Sequence, residues 1–254
     1  MIFRGSECNG LVSTVSTARL WLLKLFSVMK PIKLVVFDVA GTIIEDHGEV
    51  LNTFRFALQQ GGIRFDEDEL KSWLGASKRE VIRHFVEQQF QGNSSSGETT
   101  EITYACFRKS LEALYQGGVT AIEGAGSTLS WCRQHGIRIA ITTGFYREVS
   151  DLILTKAGWN QMFDANISSS DVRMGRPAPF MIFRAMEAAG VVDVRQVVTV
   201  GDTPLDLQAG THAGVLGVVG VLTGTHDRES LQREPHTHII AGVADLPALL
   251  ENGF

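Results

Sequence analysis

The run Leu34-Val35-Val36-Phe37 is apolar throughout and ends abruptly in Asp38. A short apolar run of this kind suits a buried strand. In open α/β sheets, ligands gather at the carboxyl ends of the strands, and Asp38 stands at such an end. The residues that follow, Ala40-Gly41-Thr42, are small enough for a tight turn and for close approach of the backbone to a bound group. A carboxylate in this place acts as a nucleophile, as a metal ligand or as both. Alternatively it does no more than cap the turn. Asp38 alone does not separate these readings, and the rest of the chain has to.

Beyond a polar turn at Glu45-Asp46-His47-Gly48-Glu49, the apolar residues recur at helical spacing. Val50, Leu51, Phe54, Ala57 and Leu58 mark a first helix, which Gly61-Gly62 ends. Asp66 and Glu67 open a second, carrying Leu70, Trp73 and Leu74. Gly75-Ala76-Ser77 breaks it, and Lys78 begins a third through Val81, Ile82 and Phe85. The low-complexity stretch Gln91–Gly97 precedes a fourth, with Tyr104, Phe107, Leu111 and Leu114. Residues 45–118 therefore read as an all-helical insert. From 119 the pattern alternates: helix 124–135, strand Ile137–Thr142, helix 147–157, a short strand near Ala165–Ile167 and helix 178–189. Strand Val197–Val200, helix 204–212, strand Gly217–Val221, strand His238–Ile240 and a last short helix complete it. Such alternation predicts a parallel sheet with helices on both faces. The expected organisation is a core of 30–44 and 119–254, with 45–118 as a lid over the strand ends.

Composition narrows the function classes. At 44% hydrophobic the chain can fill a core, and a net charge of −5 argues against a nucleic-acid surface. Cys8, Cys106 and Cys132 lack metal-ligand spacing and fit a reducing, cytoplasmic setting. No apolar run approaches the roughly 20 residues of a membrane span. Residues 1–29 read as an extension outside the fold, with Met29 as an alternative start. A poor signal peptide or weak organelle-targeting segment is the competing reading.

Four features then fall at successive strand ends. Asp38 is the first. Thr142-Thr143-Gly144 is the second, with Thr143 the better hydroxyl for a phosphate oxygen. Gly175-Arg176-Pro177 is the third, where Arg176 can neutralise an anion. Val200-Gly201-Asp202-Thr203-Pro204-Leu205-Asp206 is the fourth. Its two carboxylates, with backbone carbonyls and waters, make a hard oxygen site suited to Mg²⁺. Each feature alone has an ordinary structural explanation; their order and placement together do not.

On these residues the chain, from about 31 to 250, resembles the haloacid dehalogenase superfamily of hydrolases, with a C1-type cap inserted after the first motif. That family's pattern is Asp-x-Asp-Gly-Thr, a Ser or Thr, a Lys or Arg, and Gly-Asp-x-x-x-Asp. The resemblance implies a Rossmann-like α/β core in which Asp38 takes up a phosphoryl group as an aspartyl phosphate. It implies that Thr143 and Arg176 hold that group, and that Ala40, Gly41, Thr42, Gly144 and Ser77 line the substrate. It further implies that Asp38, Asp202 and the carbonyl of Ala40 ligate Mg²⁺, with Asp206 supporting the site.

Ala40 departs from the general pattern. Most phosphatases of the superfamily carry there a second Asp that protonates the leaving oxygen, work worth roughly 10²–10⁴ in rate. Asp-x-Ala-Gly-Thr instead resembles the phosphonatase (phosphonoacetaldehyde hydrolase-like) branch. In that branch a cap lysine forms a Schiff base with the substrate aldehyde, and the imine accepts the electrons of a departing carbon. Lys78 matches that lysine by its spacing from Gly75, and desolvation or a neighbouring cation such as Arg79 can lower its pKa. The branch has a His where this chain has Val81, and a Tyr where it has Phe145. His84, one helical turn beyond Val81, and His47, near the hinge, are candidate replacements. Three functions remain open: C–P hydrolysis of a small organophosphorus compound, phosphomonoester hydrolysis of the phosphoglycolate phosphatase type, and an inactive binding or regulatory module. The resemblance also implies a homodimer formed through the cap.

Overall fold

The computed structural model describes residues 32–90 and 95–253. The reading of residues 1–29, and that of most of the low-complexity stretch after Phe90, lie outside the described residues. Among the described residues six strands form one sheet: β1 (Leu34–Phe37), β2 (Arg138–Thr143), β3 (Ala165–Ser168), β4 (Val197–Gly201), β5 (Gly217–Val221) and β6 (His238–Ile240). Their order is β3-β2-β1-β4-β5-β6, and every pairing is parallel. The chain leaves β1 toward β2 and β3, then returns to lay β4 on the other side of β1. That reversal is the topological switch point where α/β sheets bind ligands.

Alternation along β1 decides which helices pack where. Leu34 and Val36 face one cluster, with Met181, Ile182 and Ala185 of α7 (Phe180–Ala188) and Ala209 and Ala213 of α8 (Pro204–Ala213). Val35 and Phe37 face the larger cluster. It contains Leu129 of α5 (Ala125–Gln134), Val149 and Ile153 of α6 (Arg147–Lys156), and Leu246 of α10 (Leu246–Asn252). All these side chains avoid water, which is why the sheet reads as apolar runs rather than as alternation.

The insert is helical as expected: α1 (Glu49–Gln60), α2 (Glu67–Ser72), α3 (Lys78–Phe90) and α4 (Ser96–Gln116). Its centre is aromatic and aliphatic. Phe54 of α1 stacks on Phe107 of α4 with centroids 4.4 Å apart, and Leu58, Phe85 and Leu111 are fully buried beside them. The Asp66 side chain accepts from the amides of Asp68 and Glu69, and so caps α2. Some boundaries differ from the sequence reading. β2 begins at Arg138 and α7 at Phe180. Helix α4 starts within the serine-rich run, because Ser and Gly residues there form its first turn. A short helix, α9 (Arg228–Gln232), was not expected; Asp227 caps it by accepting from Ser230 N.

The cap rests directly on the core. Tyr146, at the start of α6, donates to Glu112 Oε1 of α4 at 2.8 Å, and Arg108 lies 4.2 Å over its ring. Tyr115 meets Phe145 edge-on at 5.6 Å. Lys78 N donates to the Gly144 carbonyl at 3.2 Å. Among the described residues no helix is long and apolar enough to cross a membrane.

Candidate active site

Sheet register sets the site. Phe37 pairs with Ile141 on one side and Val200 on the other, so Asp38 falls level with Thr142 and Gly201. Its amide continues the ladder by donating to Val200 O at 2.8 Å. Asp202 follows Gly201 directly. The turn after Asp38 returns Thr42 to this level, where its hydroxyl donates to Asp202 Oδ1 at 3.1 Å. Gly41 has a φ of 85°, and a Cβ there would lie 2.5 Å from Asp202 Oδ2. Only glycine lets the turn pass so close to that carboxylate.

Asp206 is fixed by the helix that it opens. Thr203 caps α8 and Pro204 stands in its first turn. Asp206 closes the capping box: its Oδ2 accepts from the Thr203 hydroxyl at 2.6 Å and from Thr203 N at 3.2 Å. Its Oδ1 receives Arg176 Nε at 2.9 Å. Arg176 spends its whole fork in this space. Nη1 donates to Asp38 Oδ1 at 2.7 Å and to Gly75 O at 3.3 Å, and Nη2 to Thr142 O and Oγ1 at 2.7 and 2.9 Å.

Carboxylate oxygens of Asp38, Asp202 and Asp206 come within 4.8 Å of one another, all buried. Burial pushes the Asp38 carboxyl up to about 7 despite the opposing pull of Arg176, with the Asp206 charge adding to the rise. Burial first, then Asp38 and Asp206, hold Asp202 well above the usual carboxylate range. Buried, mutually repelling carboxylates with only oxygen donors are what a small hard dication would relieve. The donor set therefore fits such an ion.

One enclosed cavity joins core and cap. Asp38, Ala40, Thr143, Gly144, Phe145, Arg176 and Asp202 line it from the core, with Leu74, Gly75 and Lys78 from the cap. Lys78 is 5% exposed. Its Nζ lies 4.8 Å from the centre of the Phe145 ring and 5.8 Å from that of Phe54, with Ala76 O at 3.5 Å. Burial lowers its pKa to about 8; Asp38 pulls the other way, and Arg176 adds to the fall. Arg79, the neighbour expected to do this, points outward and pairs with Glu101. The cavity holds about 30 Å³, room for no more than a couple of waters. Even a small organic anion needs the cap to move before it can bind.

The remaining expected residues lie as follows. Gly41 and Thr42 stand behind Asp202, and Thr143 Oγ1 accepts from Phe145 N at 3.2 Å. Ser77 is half-buried and lies outside the cavity lining. A Cβ on Gly144 would sit 2.3 Å from Ala76 O, so this glycine is where the cap loop docks. Neither histidine lines the cavity. His84 meets Glu69 Oε1 at 2.8 Å and stacks on Trp73 at 4.3 Å, and His47 is exposed beside Glu45. Asp46, Thr203 and Thr225 also line the cavity, and sequence reasoning did not pick them out. Thr203 had a signal, as the Ser/Thr that opens a capping box. Asp46 and Thr225 lie in turns without periodicity.

Known proteins are similar to this chain over most of its length. The family model described as haloacid dehalogenase-like hydrolase matches residues 35–220. A phosphonoacetaldehyde hydrolase from Bacteroides fragilis is 29% identical over 88% of this chain and 97% of its own. A phosphonoacetaldehyde hydrolase-like protein from Oleispira antarctica has a similar structure, with TM-score 0.76 and 22% identity over 88% of this chain and 93% of its own. A predicted phosphoglycolate phosphatase from Haemophilus somnus shares the fold at TM-score 0.71 and 19% identity, over 86% and 97%. With the family motifs gathered at one end of a parallel sheet and most of the chain matched, this protein belongs to the haloacid dehalogenase-like hydrolases.

Proposed function

We propose that this hydrolase cleaves the carbon–phosphorus bond of phosphonoacetaldehyde or a close analogue, with Mg²⁺ as cofactor. One juxtaposition carries the reading. Beside the nucleophile Asp38, the usual acid is replaced by Ala40, while a buried lysine of lowered pKa shares the cavity. An amine near 8 has an appreciable neutral fraction at neutral pH and can attack an aldehyde. A carbon leaving group needs an electron sink rather than an oxygen-protonating acid, and an imine on Lys78 is that sink.

The steps balance as follows. Lys78 Nζ adds to the aldehyde carbon and water is lost, leaving a protonated imine. An Asp38 oxygen attacks phosphorus, and the P–C bonding pair passes into the imine to give an enamine. Protonation at carbon and hydrolysis release the aldehyde product and free Lys78. Water then hydrolyses the aspartyl phosphate to phosphate and Asp38. Arg176 moves its charge from Asp38 to the phosphoryl oxygens, and Thr143 supports them. Asp38, Asp202 and the Ala40 carbonyl would hold Mg²⁺, with Asp206 supporting through its grip on Arg176. When bound, the ion offsets phosphoryl charge.

A screen of phosphonates and phosphomonoesters with and without EDTA, with Lys78→Arg alongside, tests this reading. Phosphonoacetaldehyde turnover that needs Mg²⁺ and disappears in Lys78→Arg supports it. Ester hydrolysis that survives the same change assigns the enzyme to phosphomonoesters instead.

A further inference from the structure

The cavity contains one carboxyl that neither the metal cluster nor the nucleophile accounts for. Asp46 lies between the turn after β1 and the start of α1, in the segment that hinges cap to core. One of its oxygens is held in place: Oδ1 accepts from Gly48 N at 3.0 Å and Val50 N at 3.3 Å. The Glu49 carboxyl, three residues on in the first turn of α1, interacts with it. A carboxyl beside a second carboxyl gives up its proton less readily, because two carboxylates repel each other.

Burial, then the Glu49 carboxyl, raises Asp46 above the usual carboxylate range. Burial works in the same sense on Glu49, but Asp46 and backbone hydrogen bonds bring it below its ordinary value. The two residues face different spaces. Asp46 lines the catalytic cavity with Lys78. Glu49 lines a separate hinge cleft of about 120 Å³, with Glu45, His47, Tyr115 and Thr120. Lys78 of α3 and Tyr115 of α4 are the titratable groups that face the pair from the helices packed on it.

We propose that Asp46 is an acid–base residue of this site, exchanging protons with the Lys78–substrate adduct. The inference rests on the carbon–phosphorus reading. When Lys78 has added to the aldehyde, Asp46 gives its proton to the hydroxyl of the carbinolamine. The C–O bond breaks, water leaves, and the nitrogen lone pair forms the imine. In the later hydrolysis, water adds to the imine carbon, the C=N pair returns to nitrogen, and the Asp46 carboxylate takes the water proton. The neutral acid is thereby regenerated. The carboxyl absent at position 40 is thus supplied from the hinge, for a different bond.

Timed borohydride quenching tests this. Wild-type enzyme and Asp46→Asn are mixed with phosphonoacetaldehyde, and the reduced adduct on Lys78 is followed by peptide mass spectrometry. Asn keeps an acceptor for the Gly48 and Val50 amides, so the melting temperature should hold. The adduct should form roughly 10²–10⁴ times more slowly. Glu49→Gln leaves Asp46 in place but removes the neighbouring carboxyl that keeps it protonated. Its alkaline limb of kcat should move to lower pH. Adduct formation at the wild-type rate in Asp46→Asn overturns the role of Asp46 and leaves the Lys78 chemistry standing. Absence of an adduct in wild-type enzyme during turnover overturns the carbon–phosphorus reading and this inference with it. If Asp46→Asn does not fold, an unmoved limb in Glu49→Gln overturns the inference.

Discussion

Arg176 Nη1 donates to Asp38 Oδ1 at 2.7 Å, with both side chains almost wholly buried. The same guanidinium binds Asp206 through Nε. Arg176 is thus the charge that allows three carboxylates to coexist at the end of the sheet. Removing one partner of a buried pair leaves the other unpaired, at about 3–5 kcal/mol. Arg176→Ala should lose stability on that scale in urea unfolding with EDTA present, and Mg²⁺ should restore part of it. Unchanged stability in EDTA would contradict this electrostatic account.

Metal dependence should vary with pH in a definite sense. The Asp38 carboxyl is raised in the fold to about 7 from an ordinary 3.8, so the folded state holds a proton that the unfolded chain has lost. The stability this contributes is complete below about 3.8 and disappears as the pH rises through about 7. Asp202 shifts in the same direction. A cation binds the ionised form, so the gap in melting temperature between Mg²⁺ and EDTA should widen from pH 5 to pH 8. A gap independent of pH would disagree.

Gly144→Ala should uncouple the cap. Its new Cβ would meet Ala76 O at 2.3 Å and Gly75 O at 2.7 Å, a clash with cap backbone that no side-chain rotation relieves. The fold should survive, because the cap can stand off. A misplacement of about 1 Å costs on the order of 10²-fold in rate, and kcat/KM should fall by about that much. Wild-type kinetics would mean that the closed arrangement is not the reactive one.

His84→Ala should leave kcat within a few-fold of wild type, because the ring is occupied by Glu69 and Trp73 outside the cavity. Losing the stacked pair should cost about 1 kcal/mol in stability. A large drop in kcat with stability intact would restore His84 as a replacement for the histidine missing at Val81.

Asp38, Thr143 and Asp202 were legible in the sequence because each stands at the end of an apolar run, and register then brings strand ends level. Asp206 follows one helical turn after Asp202, and Arg176, eight residues beyond the end of β3, was legible only through its motif. Lys78 was legible through the Gly75 break that turns the chain toward the core. Its low pKa and the main cause, burial, were both foreseen; the assisting cation was not, since Arg79 is adjacent in sequence while Arg176 arrives from the third motif, across the fold. Asp46 was hidden for a related reason. In the sequence it is one acid in a polar turn, and only the closed cap puts it in one cavity with Lys78. Helix α9 escaped because five residues are too few for a periodic pattern.

The central claim is that Lys78 is the electron sink for a departing carbon. The most direct measurement is borohydride reduction during turnover of phosphonoacetaldehyde, with the modified peptide located by mass spectrometry. The account predicts a reduced adduct on Lys78, inactivation that tracks its formation, and neither in Lys78→Arg. Sustained turnover in borohydride, with Lys78 unmodified, would contradict it.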